Sequence, residues 1–217
     1  MKIISNSLVH LVTLLLLALG SRAGAERVSV LAVDNATVQP AGPRPGDNGK
    51  RFFNVEGNGA GNFASFGVAD FNLPTHEDSE VESIRMLTLT LTQANASFTH
   101  DGGMHFWLTT DTTTDIQPSD TPDVTFVRED DPDGLDGQLA PRFSLGSGSF
   151  VQVDDGQVDS YSFAVSRQLA RYLREQIRSR GTIRILMSPA DSSVAATYAG
   201  YSNVEFTGPV LTISSDD

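Results

Sequence analysis

The sequence predicts an all-β protein: an antiparallel jelly-roll-like β-sandwich of about nine or ten strands with one amphipathic helix near residues 166–180. Three observations carry this. Short β-rich runs are separated by clusters of Gly, Pro, Asn and Asp throughout the chain after residue 26. Several of those runs alternate apolar and polar residues with the period of two that a half-buried strand requires. Only one segment keeps a helical period instead.

Taken in order, a first run at 27–33 continues in 36–39 and stops at the Pro/Gly-rich loop 41–50. Runs 52–56 and 63–71 follow, divided by the glycine-rich stretch 57–62. The clearest strand is 84–93, where Leu87, Leu89 and Leu91 point to one face and Met86, Thr88, Thr90 and Thr92 to the other. Residues 104–109 repeat the pattern, setting Met104, Phe106 and Leu108 against His105, Trp107 and Thr109. Further strands are expected at 124–127, 160–165, 182–188, 194–198, 202–206 and 210–214. The helix follows a plausible N-cap at Ser166, carries Leu169, Leu173 and Ile177 on one face, and ends at Gly181. Arg167, Arg171, Arg174 and Arg178 form a second stripe on it, read either as an anion-binding row or as a solvated face offsetting an acidic body.

Composition sets the class of partner. The chain of 217 residues has a formal charge of −12, which disfavours a nucleic-acid backbone or an anionic membrane surface as the main partner. It has no cysteine, which excludes disulfides, thiolate metal sites and Cys nucleophiles. Lys2, an apolar run from Leu8 to Leu19 and Ala23-Gly24-Ala25 form an export signal over residues 1–25. The run is too short to span a bilayer, so no membrane insertion is expected after cleavage. Residues 26–217 are then one exported β-sandwich domain, at the cell surface, outside the cell or in the periplasm.

Several segments resemble the secreted jelly-roll domains known as DNRLRE domains, which are similar to certain polysaccharide-binding modules. The segments are Val33-Asp34-Asn35-Ala36-Thr37-Val38, the stretch from Ala64 to Pro74 with its Phe71-Asn72-Leu73-Pro74 ending, Tyr161 to Val165 before the helix, and Pro209-Val210-Leu211-Thr212-Ile213 at the end. The resemblance implies a jelly-roll fold and an extracellular glycan as ligand.

Two sets of residues are candidates for function. If Phe106 faces the core, alternation places Trp107 on the opposite surface with His105 and Thr109, where the threonine ladder of 84–93 is also expected. A flat indole beside polar groups suits a sugar ring, whose C–H face is apolar and whose rim is hydroxyl. The opposing reading covers Trp107 with the helix or a long loop. The second set is Glu129, Asp130, Asp131, Asp133 and Asp136, five acids broken by Pro and Gly turns, which suit Ca²⁺ as cofactor or else form a solvated acidic turn. Asp111 and Asp115 are a weaker acidic pair. His100, Asp101 and His105 make a poor metal set, because a spacing of five puts the two imidazoles on opposite faces of an extended chain. Enzyme signatures are absent: there is no Gly-x-Ser-x-Gly, His-Glu-x-x-His or Walker loop. The expectation is a non-catalytic glycan-binding module. A structural or adhesive surface protein making protein contacts is the alternative, and a polysaccharide-degrading enzyme stands behind both.

Overall fold

The computed structural model describes residues 27–74, 84–128 and 133–215. The expected export signal, and Glu129, Asp130 and Asp131 of the acidic loop, lie outside them. In chain order the elements are β1 (Arg27–Gln39), β2 (Gly42–Pro43), α1 (Asp47–Arg51), β3 (Phe52–Glu56), β4 (Phe66–Asn72), β5 (Ile84–Thr92), β6 (Gly102–Thr109), β7 (Arg142–Phe150), β8 (Val158–Ala164), α2 (Arg167–Ser179), β9 (Thr182–Pro189), β10 (Ala195–Ala199) and β11 (Val210–Ser215).

The runs at 27–33 and 36–39 are one long strand, and this strand joins the two layers of the sandwich. The first part of β1 pairs antiparallel with β11, opening a sheet in the order β1-β11-β5-β8. Past an irregularity between Ala32 and Asp34, its second part pairs with β4, opening a second sheet in the order β1-β4-β9-β6-β7. Between the inner faces lie Leu87, Leu89, Leu91, Phe106, Leu108, Phe71, Ile185 and Met187, all essentially inaccessible. A separate ribbon, β3 with β10, adds Phe53, Val55 and Tyr198 to the same core.

The helix forms where its period predicts. Ser166 accepts a hydrogen bond from the Leu169 amide at 3.2 Å, satisfying a donor that the first helical turn leaves open. Leu169, Ala170, Leu173 and Ile177 bury into the core. The left-handed residue that stops the helix is Arg180 at φ 56°, one before the expected Gly181.

Three runs differ from their prediction. Residues 124–127 do not join a sheet; the amides of Phe126 and Val127 donate to the carbonyls of Gln39 and Gly134. Gln138 acts as a partner strand would: its Oε1 accepts from the Thr125 amide and its Nε2 donates to the Thr125 carbonyl, at 2.8 and 2.9 Å. Residues 202–206 form a turn, with Asn203 Oδ1 accepting from the amides of Glu205 and Phe206. Conversely, β7 is a nine-residue strand that the Ser- and Gly-rich sequence hides. Its glycines permit close approach to β8: a Cβ on Gly148 would lie 2.6 Å from Tyr161 Cδ1.

The second sheet is also covered on its outside. The segment 110–141 between β6 and β7 lays Ile116, Val124, Phe126, Leu135 and Leu139 over Ala36, Val38, Phe66, Val68 and Leu186, making a second apolar core. A polar row beside it anchors this cover. Arg184 on β9 grips Asp70 on β4 through two hydrogen bonds of 2.8 Å, and its remaining nitrogen donates to the carbonyls of Asp111 and Thr114. Both side chains are nearly buried. Gln117 Nε2 donates to Asp34 at 2.6 Å, and the Thr109 hydroxyl donates to the Leu139 carbonyl at 2.6 Å.

Breaking one side of the Arg184 pair leaves a buried charge without its partner, which costs about 3–5 kcal/mol. Asp70→Ala should therefore lower the unfolding free energy by that amount, and Asp70→Leu with Arg184→Met should recover part of it. Urea denaturation of both variants checks this. A second test concerns Asp111. Burial alone would raise its carboxyl, but the hydroxyl and amide of Thr114 and those of Thr113 outweigh it and hold the group below its ordinary 3.8. A lowered carboxyl contributes stability at neutral pH that fades as pH falls through the folded-state value. Asp111→Asn should be less stable than the parent at pH 7, and the gap should narrow as the pH falls below the ordinary carboxyl value of 3.8 in the same urea series.

Candidate functional site

Strand alternation on β6 puts His105 and Trp107 on the outer face of the second sheet, as expected, at the margin of the covering segment. Pairing then decides their neighbours. On one side His105 lies opposite Ser188 and Trp107 opposite Leu186 on β9. On the other, β7 sets Ser147 opposite His105 and Ser144 opposite Trp107.

Trp107 is half-buried, with part of its ring packed against the second apolar core. Its indole N–H donates to Ser188 Oγ at 3.0 Å, and the Ser188 hydroxyl donates to Asp133 Oδ1 at 3.0 Å. The Arg142 guanidinium lies 5.5 Å from the indole centroid, within the range of a cation–π contact. The His105 ring meets the indole edge-on, 6.2 Å between centroids. Its Nδ1 shares a 2.8 Å hydrogen bond with Ser147 Oγ, and its Nε2 is 3.9 Å from Asp133 Oδ1. The result is an aromatic centre ringed by donors and acceptors whose positions are fixed by one another.

The remaining sequence candidates go elsewhere. Thr109 is fully buried, and its hydroxyl serves the loop anchor, so it sits beneath this surface and not on it. The threonine ladder lies on the outer face of the other sheet, a correction to the shared surface expected for it and Trp107. There Ser29, Thr212, Thr88 and Ser162 align across four strands, with hydroxyl pairs at 2.8 Å (Ser29 and Thr212) and 2.9 Å (Thr88 and Ser162). Asp111 and Asp115 cap turns, accepting from the amides of Thr113, Thr114 and Gln117. Of the five expected calcium ligands, Asp133 and Asp136 are described; the first engages Ser188, and the second is exposed in a left-handed turn at φ 37°. No group of three or more acids or histidines suited to a metal occurs among the described residues. His100 is exposed, with its backbone bridged to Ala195, and Asp101 accepts from the Gln152 amide. Tyr198 is buried, sharing a 2.9 Å hydrogen bond with Tyr161, whose phenol burial pushes up to about 12. Tyr201 lines an open groove of about 420 Å³.

Ser147, His105 and Asp133 have the composition of a nucleophile, base and acid. The 3.9 Å separation is too long for a hydrogen bond, and Ser147 is an exposed strand residue beside the irregularity between Ser144 and Gly146. The arrangement can orient a polar ligand; it lacks the alignment of a proton relay. Arg142, Ser144, Ser147 and Ser188 escaped the sequence reading because their relevance comes from cross-strand pairing. The one available signal was the alternation of 182–188, which places Ser188 two residues from Leu186 on the same face as Trp107's row.

No family model matches the chain. No curated protein matches it. Among solved structures the chain is similar to a truncated AlyQ with CBM32 and alginate lyase domains, with a TM-score of 0.38 and 11% sequence identity, over 89% of this chain and 35% of that one.

Proposed function

We propose that the chain is an exported, non-catalytic β-sandwich that binds extracellular carbohydrate at the surface formed by Trp107, His105, Arg142, Ser144 and Ser147. The observation that supports this most is the partly buried indole held by Ser188 and flanked by a guanidinium, an imidazole and two serine hydroxyls on adjacent strands. The indole offers an apolar contact for sugar C–H groups, while Arg142 donates to ring or hydroxyl oxygens and the serines take either role. A fixed sheet face keeps the cost of ordering the site low. The reading as a structural or adhesive protein draws on a different feature, the exposed apolar residues Phe63, Phe98 and Val204, which are 66%, 81% and 82% accessible.

Trp107 is the only tryptophan of the chain, so emission excited on the red side of the tyrosine band reports this surface alone. A glycan array with the mature protein should yield a bound sugar class, and titrating that glycan should shift the emission. Arg142→Ala should weaken binding at least tenfold while costing about 0.5–1 kcal/mol of stability. Trp107→Ala should abolish binding and cost about 2 kcal/mol, between the values for exposed and core residues, because the ring is half-buried. An array without a hit, or binding indifferent to both substitutions, moves the protein to the adhesive reading.

Calcium at 129–136 is a separate part of the proposal, carried by the sequence. Ca²⁺ at a hundred times its dissociation constant should add about 2.7 kcal/mol of stability. Melting curves that coincide in Ca²⁺ and in chelator would remove the ion from the proposal and leave the sugar surface untouched.

A further inference from the structure

Two asparagines of the chain stand in the pattern Asn-x-Ser/Thr that an oligosaccharyltransferase recognises: Asn35-Ala36-Thr37 and Asn95-Ala96-Ser97. The middle residue is alanine in both, so the pattern alone does not tell them apart. The structure does. Asn35 lies inside β1 and is buried, its Nδ2 donating to the Gly49 carbonyl at 2.9 Å and its Oδ1 accepting from the Tyr201 amide at 2.7 Å. Thr37 is fully buried, and its hydroxyl accepts from the Asn54 amide at 2.9 Å. A sugar on the Asn35 nitrogen has no route to solvent, so the fold excludes it.

Asn95 has the opposite surroundings. It sits in the connection between β5 and β6 in the left-handed conformation, φ 55°, that asparagine tolerates better than most residues. Its carbonyl closes the short 3₁₀ turn Ala96–Phe98 by accepting from the Phe98 amide at 3.0 Å. The turn is pinned through its backbone: the Ala96 amide donates to Asp155 Oδ1 at 2.7 Å, and the Ala96 carbonyl accepts from the Thr99 hydroxyl at 2.8 Å. The side chains of Asn95 and Ser97 take no part in this. Both residues are exposed, and among the described residues neither the Asn95 carboxamide nor the Ser97 hydroxyl has a hydrogen-bond partner.

A second observation points to the same place. Phe98, three residues on across the same turn, is 81% accessible, an aromatic ring that its own chain leaves uncovered. Sugar rings present apolar C–H faces that pack on aromatic rings, and a sugar carried by Asn95 has this ring within one short turn.

We propose that Asn95 is an N-glycosylation site whose first sugar packs on Phe98. Asn95 Nδ2 attacks the anomeric carbon of an oligosaccharide carried on a polyprenyl diphosphate. The new C–N bond replaces the C–O bond to the diphosphate, which leaves with its lipid, and a base of the transferase takes the amide proton. Ser97 supplies the hydroxyl that the transferase reads. The site rests on the export part of the proposed function and uses no residue of the Trp107 surface.

The test is expression of the full chain in a eukaryotic cell with a secretory oligosaccharyltransferase, both as it stands and behind an established secretion leader. Peptide N-glycosidase digestion and peptide mass spectrometry of the folded product follow. One N-linked chain at Asn95 and none at Asn35 is expected. Ser97→Ala should abolish the modification with an unchanged melting temperature, and Ser97→Thr should retain it, which separates loss of the recognised hydroxyl from misfolding. Enzymatic removal of the glycan should lower the melting temperature of the parent and leave that of Phe98→Ser unchanged. Modification of the leader-driven chain alone supports the site and tells against export. An unmodified Asn95 in the folded, leader-driven chain, a sugar at Asn35, or attachment that survives Ser97→Ala overturns the proposal, and a melting temperature indifferent to deglycosylation overturns the contact with Phe98.

Discussion

Burying Arg184 sets the terms for one whole side of this molecule. A guanidinium inside a protein needs its donors occupied, and here Asp70 takes two while the carbonyls of Asp111 and Thr114 take others. The acid is on the next strand and the carbonyls are on the segment that leaves β6, so satisfying one side chain fixes where that segment starts its path. Held there, it lays Ile116, Val124 and Phe126 on the outer face of the sheet, and the second apolar core follows. The same path brings Asp133 to Ser188 and so to the indole of Trp107. The candidate sugar surface depends on an ion pair that lies two cross-strand rows away from it.

That dependence explains why Trp107 has a mixed environment. Strand alternation turned it outward, and a long loop then covered part of it, so both readings of the sequence hold for different parts of one ring. The covered part fixes the indole, and the open part faces Arg142 and His105. An indole anchored in this way loses little freedom when a ligand arrives.

The sequence revealed most where a local rule acts alone. The Leu and Thr alternation of β5 and the four-residue apolar step of α2 need no knowledge of the rest of the chain. It revealed least where a partner decides. Val124 and Phe126 alternate like a strand and are buried like one, yet Gln138 supplies the bonds that a neighbouring strand would give Thr125. The sequence of β7, with Gly146, Gly148 and three serines, carries no apolar period; it is a strand because β6 pairs with it and because its glycines clear the rings of Tyr161 and Phe163. Arg184 looked like any other charged residue, and only its pairing with Asp70 across β4 and β9 distinguishes it. The site was legible as a single aromatic and a single imidazole, and illegible as the ring of groups around them.

The pairing of β1 with β11 has a consequence for how the chain reaches this structure. Ser29 meets Thr212, 183 positions apart in sequence, and the first sheet has β11 between β1 and β5. During synthesis the second sheet can assemble β1, β4, β6, β7 and β9 while the first still has a vacancy at its centre. Until β11 is in place, β1 and β5 both present open edges, the kind of template that recruits a strand from another molecule. Pairings of such long range also slow folding, because the loop must be closed before the contact forms. The chain is thus most open to aggregation before β11 docks, and its insertion between β1 and β5 ends that interval.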